Sequence, residues 1–425
     1  MSFNDFQFGP HILGAVKKSG FLEPTPIQAQ AMGPILEGHD LLGLAQTGTG
    51  KTAAFILPMV QHLLAKKEKH IRTLIIAPTR ELAEQIHDYA EEVIENTHLR
   101  SMAIYGGVSK PAQIRKLREG VDIVVACPGR LLDILRDSAM NLGRVEHLIL
   151  DEADHMFDQG FLPDIRRILG FLPRKRQTLV FSATMPGEIR KLAEEILNKP
   201  VAVQISRIQP ADTVAHTMYN VQQNQKTALL LHLLKQNESG IGTALVFTRT
   251  KYKAKNLAAK LAKSGFKATS LQGNLSQNRR QEALAGFKDG TFNILVATDI
   301  AARGIDVAGI SHVINFDAPD TAEAYIHRTG RTGRATLSGE AFLFATTEDG
   351  KIISMIEKSM NKKLQKQSIS LPHSELHQDI ERPAYVQKRR EPSSGKANNN
   401  RSGRGKRTSR SSAAAPVFGL NARCK

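Results

Sequence analysis

Short, almost wholly apolar runs alternate with longer stretches of helical period in the first half of the chain. This alternation limits the possible folds more than any other feature. The runs are Leu41–Ala45, Thr73–Ala77, Asp122–Ala126, His147–Leu150 and Thr178–Ser182. A strand that is apolar on every residue is covered on both faces. Between the runs lie amphipathic segments such as Arg80–Asn96. Strand and helix in alternation predict an α/β fold with a doubly wound parallel sheet.

The pattern restarts after Pro210. Thr243–Phe247, Ala268–Leu271, Phe292–Ala297, His312–Asn315 and Ala341–Phe344 read as strands, with Lys251–Ser264 and Asn278–Lys288 among the helices. The joint falls near Ser206–Asp212, where Pro210 and polar residues interrupt both periods. The expected organisation is one domain over 1–207, a second over 212–372 and a tail over 373–425.

Charge separates the tail from the body. The 425 residues carry 58 Lys+Arg and 41 Asp+Glu, a net +17. Residues Arg382–Lys425 hold 12 of the bases and one acid, so +11 sits in the tail and +6 in the rest. Ser393–Ser412 is nearly all Ser, Gly, Asn, Arg and Lys, too polar to offset its ordering entropy, and is expected to be disordered. Such a balance points to a polyanion, nucleic acid before membrane. The N-terminus does not read as a secretory signal, and no apolar run reaches the ~18 residues a bilayer span requires. Cys127 and Cys424 form no CxxC pair, which argues against a zinc site or disulfide framework and fits a cytoplasmic protein.

Chemistry begins where the first apolar run enters Ala45-Gln46-Thr47-Gly48-Thr49-Gly50-Lys51-Thr52 and a helical stretch follows. Strand, Gly-rich loop and helix form the context of a phosphate-binding loop. Its glycines let backbone N–H groups approach phosphates, and the helix N-terminus adds partial positive charge. Lys51 would reach the β- and γ-phosphates, and the Thr52 hydroxyl would ligate Mg²⁺. The general pattern has Gly where Ala45 stands, so a Gly/Thr turn capping a helix is the plain alternative. A second buried run, His147–Leu150, ends in Asp151-Glu152-Ala153-Asp154. Alone, an acidic tetrad is usually a helix N-cap. Beside a phosphate loop, Asp151 can hold Mg²⁺ directly or through water, and Glu152 can orient the attacking water. Asp154 is placed to tie this loop to a neighbour.

With these residues the chain resembles the DEAD-box RNA helicases of superfamily 2, whose phosphate loop has the form AQTGTGKT found at Ala45–Thr52. The likeness extends through Phe21-x-x-Pro-Thr-Pro-Ile-Gln28 with Phe3 upstream, Pro78-Thr79-Arg80-Glu81-Leu82, Gly106-Gly107, Pro128-Gly129-Arg130, the DEAD tetrad and Ser182-Ala183-Thr184. It continues in the second half with Val246-Phe247-Thr248-Arg249, Gln272-Gly273, Gln277-x-x-Arg280, Ala297–Asp306 and His327–Arg334. The short N-terminus and basic tail look most like the bacterial RhlE-type group. The resemblance implies two tandem RecA-like domains with ATP and Mg²⁺ between them.

It also implies roles. Gln28 has one amide donor and one acceptor, which suit the adenine edge, and Phe3 and Phe21 offer stacking faces. Gly304 and Asp306 would border the nucleotide. Arg331 and Arg334 would act as arginine fingers when the domains close, sharing a face if helical. Ser182, Ala183, Thr184, His327 and Arg328 would couple the phosphate site to RNA. Pro78, Thr79, Arg80, Gly106, Gly107, Pro128, Gly129, Arg130, Thr248, Arg249, Gly273 and Thr298 would contact RNA phosphate and sugar, giving little base specificity. The family usually has Thr at the position of Cys127, so one hydroxyl contact is in doubt.

The expected activity is RNA-stimulated ATP hydrolysis with local, non-processive separation of short RNA duplexes. An ATP-gated RNA clamp within a ribonucleoprotein shares every motif. A DNA translocase is disfavoured by the Gln28 motif and the DEAD form. Similar proteins serve ribosomal and RNA-decay assemblies, and the basic tail would tether the core to RNA through counterion release.

Overall fold

The computed structural model describes residues 1–368 other than 47, 206–213, 237–241, 303–306, 308 and 334–337, and the Ile300 backbone without its side chain. The expected domain joint and the tail therefore lie outside the described residues.

The first domain's strands are β1 (Leu41–Leu44), β2 (Thr73–Ile76), β3 (Ser101–Ile104), β4 (Ile123–Ala126), β5 (His147–Leu150), β6 (Gln177–Ser182) and β7 (Val201–Gln204). They lie in the order β3-β4-β2-β5-β6-β1-β7, every pair parallel. The second domain has β8 (Val214–Asn220), β9 (Ala244–Phe247), β10 (Ala268–Leu271), β11 (Ile294–Ala297), β12 (His312–Asn315), β13 (Gly339–Ala345) and β14 (Gln365–Gln367). Its order is β10-β11-β9-β12-β13-β8-β14, again all parallel. Raising each number in the first order by seven gives the second, so one doubly wound topology occurs twice, as expected of tandem RecA-like domains.

Burial explains the apolar runs. β2, β4, β5 and β6 are buried at every residue, as are β9, β11 and β12. Two apolar clusters cover the faces of the first sheet, one including Phe55, Ile75 and Phe181, the other Leu74, Val124 and Ile165. Each fully buried side chain of this size contributes about 1.5–3 kcal/mol.

Strand order also sorts the chemistry. Ligands bind at the C-terminal ends of strands in such sheets. The neighbours β5-β6-β1 end in Asp151, Ser182 and the glycine-rich loop. The neighbours β3-β4-β2 end in Gly106, Pro128 and Pro78. One sheet edge thus separates the expected nucleotide residues from the expected RNA residues.

Candidate active site and nucleic-acid cleft

The loop after β1 is shaped by two glycines in left-handed conformation, Gly48 at φ 80° and Gly50 at φ 90°. The helix Lys51–Leu64 starts immediately afterwards. Lys51 is buried; its Nζ donates to the Ala45 carbonyl at 3.1 Å and lies 3.9 Å from Asp151 Oδ1. Burial pushes the Asp151 carboxyl above its ordinary value against the opposing pull of Lys51. A buried acid with raised proton affinity, next to one lysine, is a site that additional cationic charge stabilises.

That donor set fits Mg²⁺ with a nucleotide. No group of three or more His, Cys, Asp or Glu able to hold a metal occurs among the described residues. Mg²⁺ is commonly held by one or two carboxylates plus substrate phosphates, and Asp151 with the half-buried Thr52 offers that arrangement.

Glu152 is the N-cap of the short helix Ala153–Asp158 and sits at φ 54°, ψ 53°, a strained conformation for a residue with a Cβ. It is 4% exposed, and its Oε2 accepts from His155 Nδ1 at 2.8 Å. Burial pushes its pKa up, but that hydrogen bond and the charges of His155, Lys51 and Arg331 hold it below the ordinary value. Arg331, from the second domain, therefore shares an electrostatic neighbourhood with Glu152.

Asp154 joins two loops. Its N–H donates to Ser182 Oγ at 3.1 Å, and its Oδ2 accepts from both the Thr184 N–H and Oγ1 at 2.9 Å. Ser182 Oγ donates in turn to the Thr184 carbonyl at 2.7 Å. Ala183 lies between them and lines a separate 670 Å³ cavity with Ala45 and Gln46.

Gln28 is 1% exposed and both ends of its amide have protein partners. Its Oε1 accepts from the Thr25 N–H at 2.9 Å and its Nε2 donates to the Gly50 carbonyl at 3.1 Å. In this structure Gln28 thus fastens the phosphate loop. Phe3 is buried and stacks on half-buried Phe21, with ring centroids 6.1 Å apart. Thr49 Oγ1 donates to the Gln46 carbonyl at 2.7 Å, closing the loop on itself.

In the second domain, Arg328 makes a bidentate pair with Asp299 at 2.6 and 2.7 Å and donates to Asn315 Oδ1 and the Asp317 carbonyl. It holds its own domain together. The helix Ala322–Thr329 ends before Arg331, so the helical spacing considered for the two arginines does not apply at Arg331. Thr47, Gly304, Asp306 and Arg334 lie outside the described residues.

The residues expected at RNA converge. Pro78, Thr79, Arg80, Gly106, Gly129, Arg130, Arg249, Gly273 and Thr298 line one 560 Å³ cleft built from both domains. Gly107, Pro128 and Thr248 flank it in sequence without lining it. At Gly107, φ 85°, a Cβ would stand 2.2 Å from Arg80 Nη1, so only glycine lets that guanidinium settle against the turn. Arg130 donates to the Val108 carbonyl at 3.1 Å and to Gln113 Oε1 at 2.8 Å, fixing the same turn. Cys127 also lines the cleft. As N-cap of Pro128–Arg136 it makes no side-chain capping bond, and burial pushes its thiol up to about 12.

Three residues outside the expected site belong to it. Arg80 Nη1 donates to Gln277 Oε1 at 3.1 Å, and Arg280 Nε donates to Glu81 Oε1 at 2.7 Å, both across the two domains. Glu81, Gln277 and Arg280 stood in the quoted motifs, but spacing along the chain held no sign that they meet. No helix among the described residues is long and apolar enough to cross a membrane.

A phosphate loop facing an arginine-bearing second domain of the same topology defines a two-domain nucleotide-driven helicase. Residues 25–192 match the DEAD/DEAH box helicase model, and residues 225–336 match the helicase conserved C-terminal domain. The chain is 41% identical over 364 residues to the ATP-dependent RNA helicase CshA of Listeria monocytogenes, covering 85% of this chain and 69% of that one. Its Bacillus subtilis counterpart is 39% identical, covering 86% and 73%. Saccharomyces cerevisiae Dbp5 bound to RNA and ADP BeF3 superposes with TM-score 0.77 at 29% identity, covering 86% of this chain and 95% of that one. A DEAD box protein from Methanococcus jannaschii gives TM-score 0.52 at 37% identity, covering 86% and 99%. The chain belongs to the DEAD-box family of RNA helicases.

Proposed function

We propose that this protein is an ATP-dependent RNA helicase that hydrolyses ATP at the cleft between domains 1–207 and 212–372 and uses closure to separate short RNA duplexes locally. Support comes chiefly from one juxtaposition: Glu152 of the first domain, next to the Lys51–Asp151 pair, lies within the electrostatic reach of Arg331 of the second. The family, the relatives' names and the RNA-bound neighbour agree with it.

In this scheme Gln28, Phe3 and Phe21 bound the adenine side. Backbone N–H groups of Gln46–Gly50 and the Lys51 ammonium hold the phosphates. Thr52 and Asp151 would hold Mg²⁺, which neutralises phosphate charge when bound. Glu152 orients a water for in-line attack on the γ-phosphorus and accepts its proton; the new bond is oxygen to phosphorus, and the bond to the ADP oxygen breaks, leaving ADP and phosphate. Arg331 and Arg334 stabilise charge on the transferring group. Asp154, Ser182, Ala183, Thr184, His327 and Arg328 connect that chemistry to the RNA cleft. The basic tail tethers RNA, and the setting is a cytoplasmic ribosomal or RNA-decay ribonucleoprotein.

The clamp alternative uses the same residues without requiring turnover. Strand separation distinguishes them. A short RNA duplex should be separated with ATP and Mg²⁺, and not with a non-hydrolysable analogue. Tight analogue-dependent RNA retention without any ATP-driven separation would favour the clamp. Equal separation of a DNA duplex would favour a translocase.

A further inference from the structure

Glu152 has an orientation problem. Its backbone is left-handed, and its carboxylate ends a flexible side chain in a buried site. Orienting a water requires that carboxylate to be held, because a misplacement of about 1 Å can cost about 100-fold in rate. His155, one helical turn on and 3% exposed, supplies the hold through Nδ1 at 2.8 Å from Oε2. An ionised carboxylate only accepts hydrogen bonds, so Nδ1 carries the proton.

The other ring nitrogen is equally informative. His155 Nε2 is buried and has no hydrogen-bond partner in the structure. Its ring meets that of His327, from the second domain, edge-on with centroids 5.5 Å apart. A cavity of about 20 Å³ lies between His155 and the second domain's Asp299, His327, Arg328 and Arg331. That volume suits a single water molecule, and the walls supply the polar partners a buried water needs. One imidazole therefore grips the glutamate on one side and faces the arginine-bearing segment on the other.

We propose that His155 is a positioning residue for hydrolysis: Nδ1–H fixes the Glu152 carboxylate, and Nε2 makes that grip depend on the His327–Arg331 segment packing against it. The proposal rests on Glu152 being the residue that orients water. It gives the second domain a route to the hydrolytic carboxylate in addition to its arginines, and nothing in the motif pattern assigns it.

The full chain with saturating RNA tests this through three substitutions. His155→Asn keeps a donor near the Nδ1 position, His155→Gln moves it to the Nε2 position, and His155→Leu removes it. Turnover number and KM for ATP are measured for each, with thermal midpoints, and with Glu152→Gln as reference. Leu and Gln should lose about 100-fold in kcat, as for a misplaced catalytic group, with KM and midpoint little changed. Asn should recover most of the rate. Wild-type turnover in His155→Leu overturns the proposal while leaving the role of Glu152 intact. Equal losses in all three, accompanied by lower midpoints, also overturn it, because they mark a purely structural histidine. Undiminished turnover in Glu152→Gln removes the underlying assignment, and the proposal with it.

Discussion

Glu81 and Arg280, 199 residues apart in sequence, form a largely buried ion pair with Arg280 Nε 2.7 Å from Glu81 Oε1. Both line the same cleft as Arg80, which itself bonds across the domains to Gln277. The contact between the two domains therefore holds a charge pair in the cleft proposed for RNA. Truncating one member leaves its partner desolvated and unpaired in the closed state. Arg280→Ala should cost closure about 2 kcal/mol, roughly 30-fold in RNA-stimulated turnover at subsaturating RNA. ATP hydrolysis without RNA should change little. Titrating ATPase rate against RNA for Arg280→Ala and Glu81→Gln checks this.

Gly50 should not tolerate a side chain. Its φ is 90°, and a Cβ would stand 2.6 Å from Gln28 Nε2. Gly50→Ala combines backbone strain of about 1–3 kcal/mol with displacement of Gln28. Nucleotide affinity, followed with a fluorescent ATP analogue, should fall about tenfold or more. Unchanged affinity would mean that Gln28 does not brace the loop.

Cys127 stands where a hydroxyl would cap a helix. It is the N-cap of Pro128–Arg136 and makes no side-chain capping bond. Cys127→Thr should stabilise the protein by up to about 1 kcal/mol, read as a higher thermal midpoint. RNA binding should tighten, since the position lines the cleft. The native thiol, pushed up to about 12 by burial, should resist alkylation at pH 8 until the protein unfolds.

Acid should weaken the fold through two buried histidines. Burial lowers both His147 and His216 from 6.5 to about 4. Below pH 6.5 the unfolded chain binds protons at these sites that the folded chain does not. Stability should therefore be fully present above about pH 6.5 and decline as pH falls toward about 4. Thermal midpoints across that window check the direction, and His147→Gln should flatten the slope.

The fold was legible where strands are covered on both faces. β2, β4, β5, β9, β11 and β12 carry continuous apolar runs because helices pack on both sides. The strands without such a signal have physical reasons. β3, β7 and β14 are sheet edges, and β14, Gln365–Gln367, is wholly polar and exposed. β8 buries the polar His216 and Thr217 and exposes Ala215 and Asn220, which breaks the apolar run. The candidate site was legible as motifs because each motif is a local loop at a strand end. Contacts between loops were not: Glu81 with Arg280, and His155 with His327, arise from the packing of two domains. Gln28 shows the same limit, since its amide chemistry was readable but its grip on Gly50 was not.

The central claim is that Glu152 drives hydrolysis while other residues bind ATP and RNA. Glu152→Gln in the full chain, assayed for phosphate release with saturating RNA and in parallel for ATP-dependent RNA retention, tests it most directly. Phosphate release should fall by at least about 100-fold, the usual loss when a group that manages a proton is removed, while ATP-dependent retention persists or lengthens. Wild-type phosphate release from this variant would contradict the account.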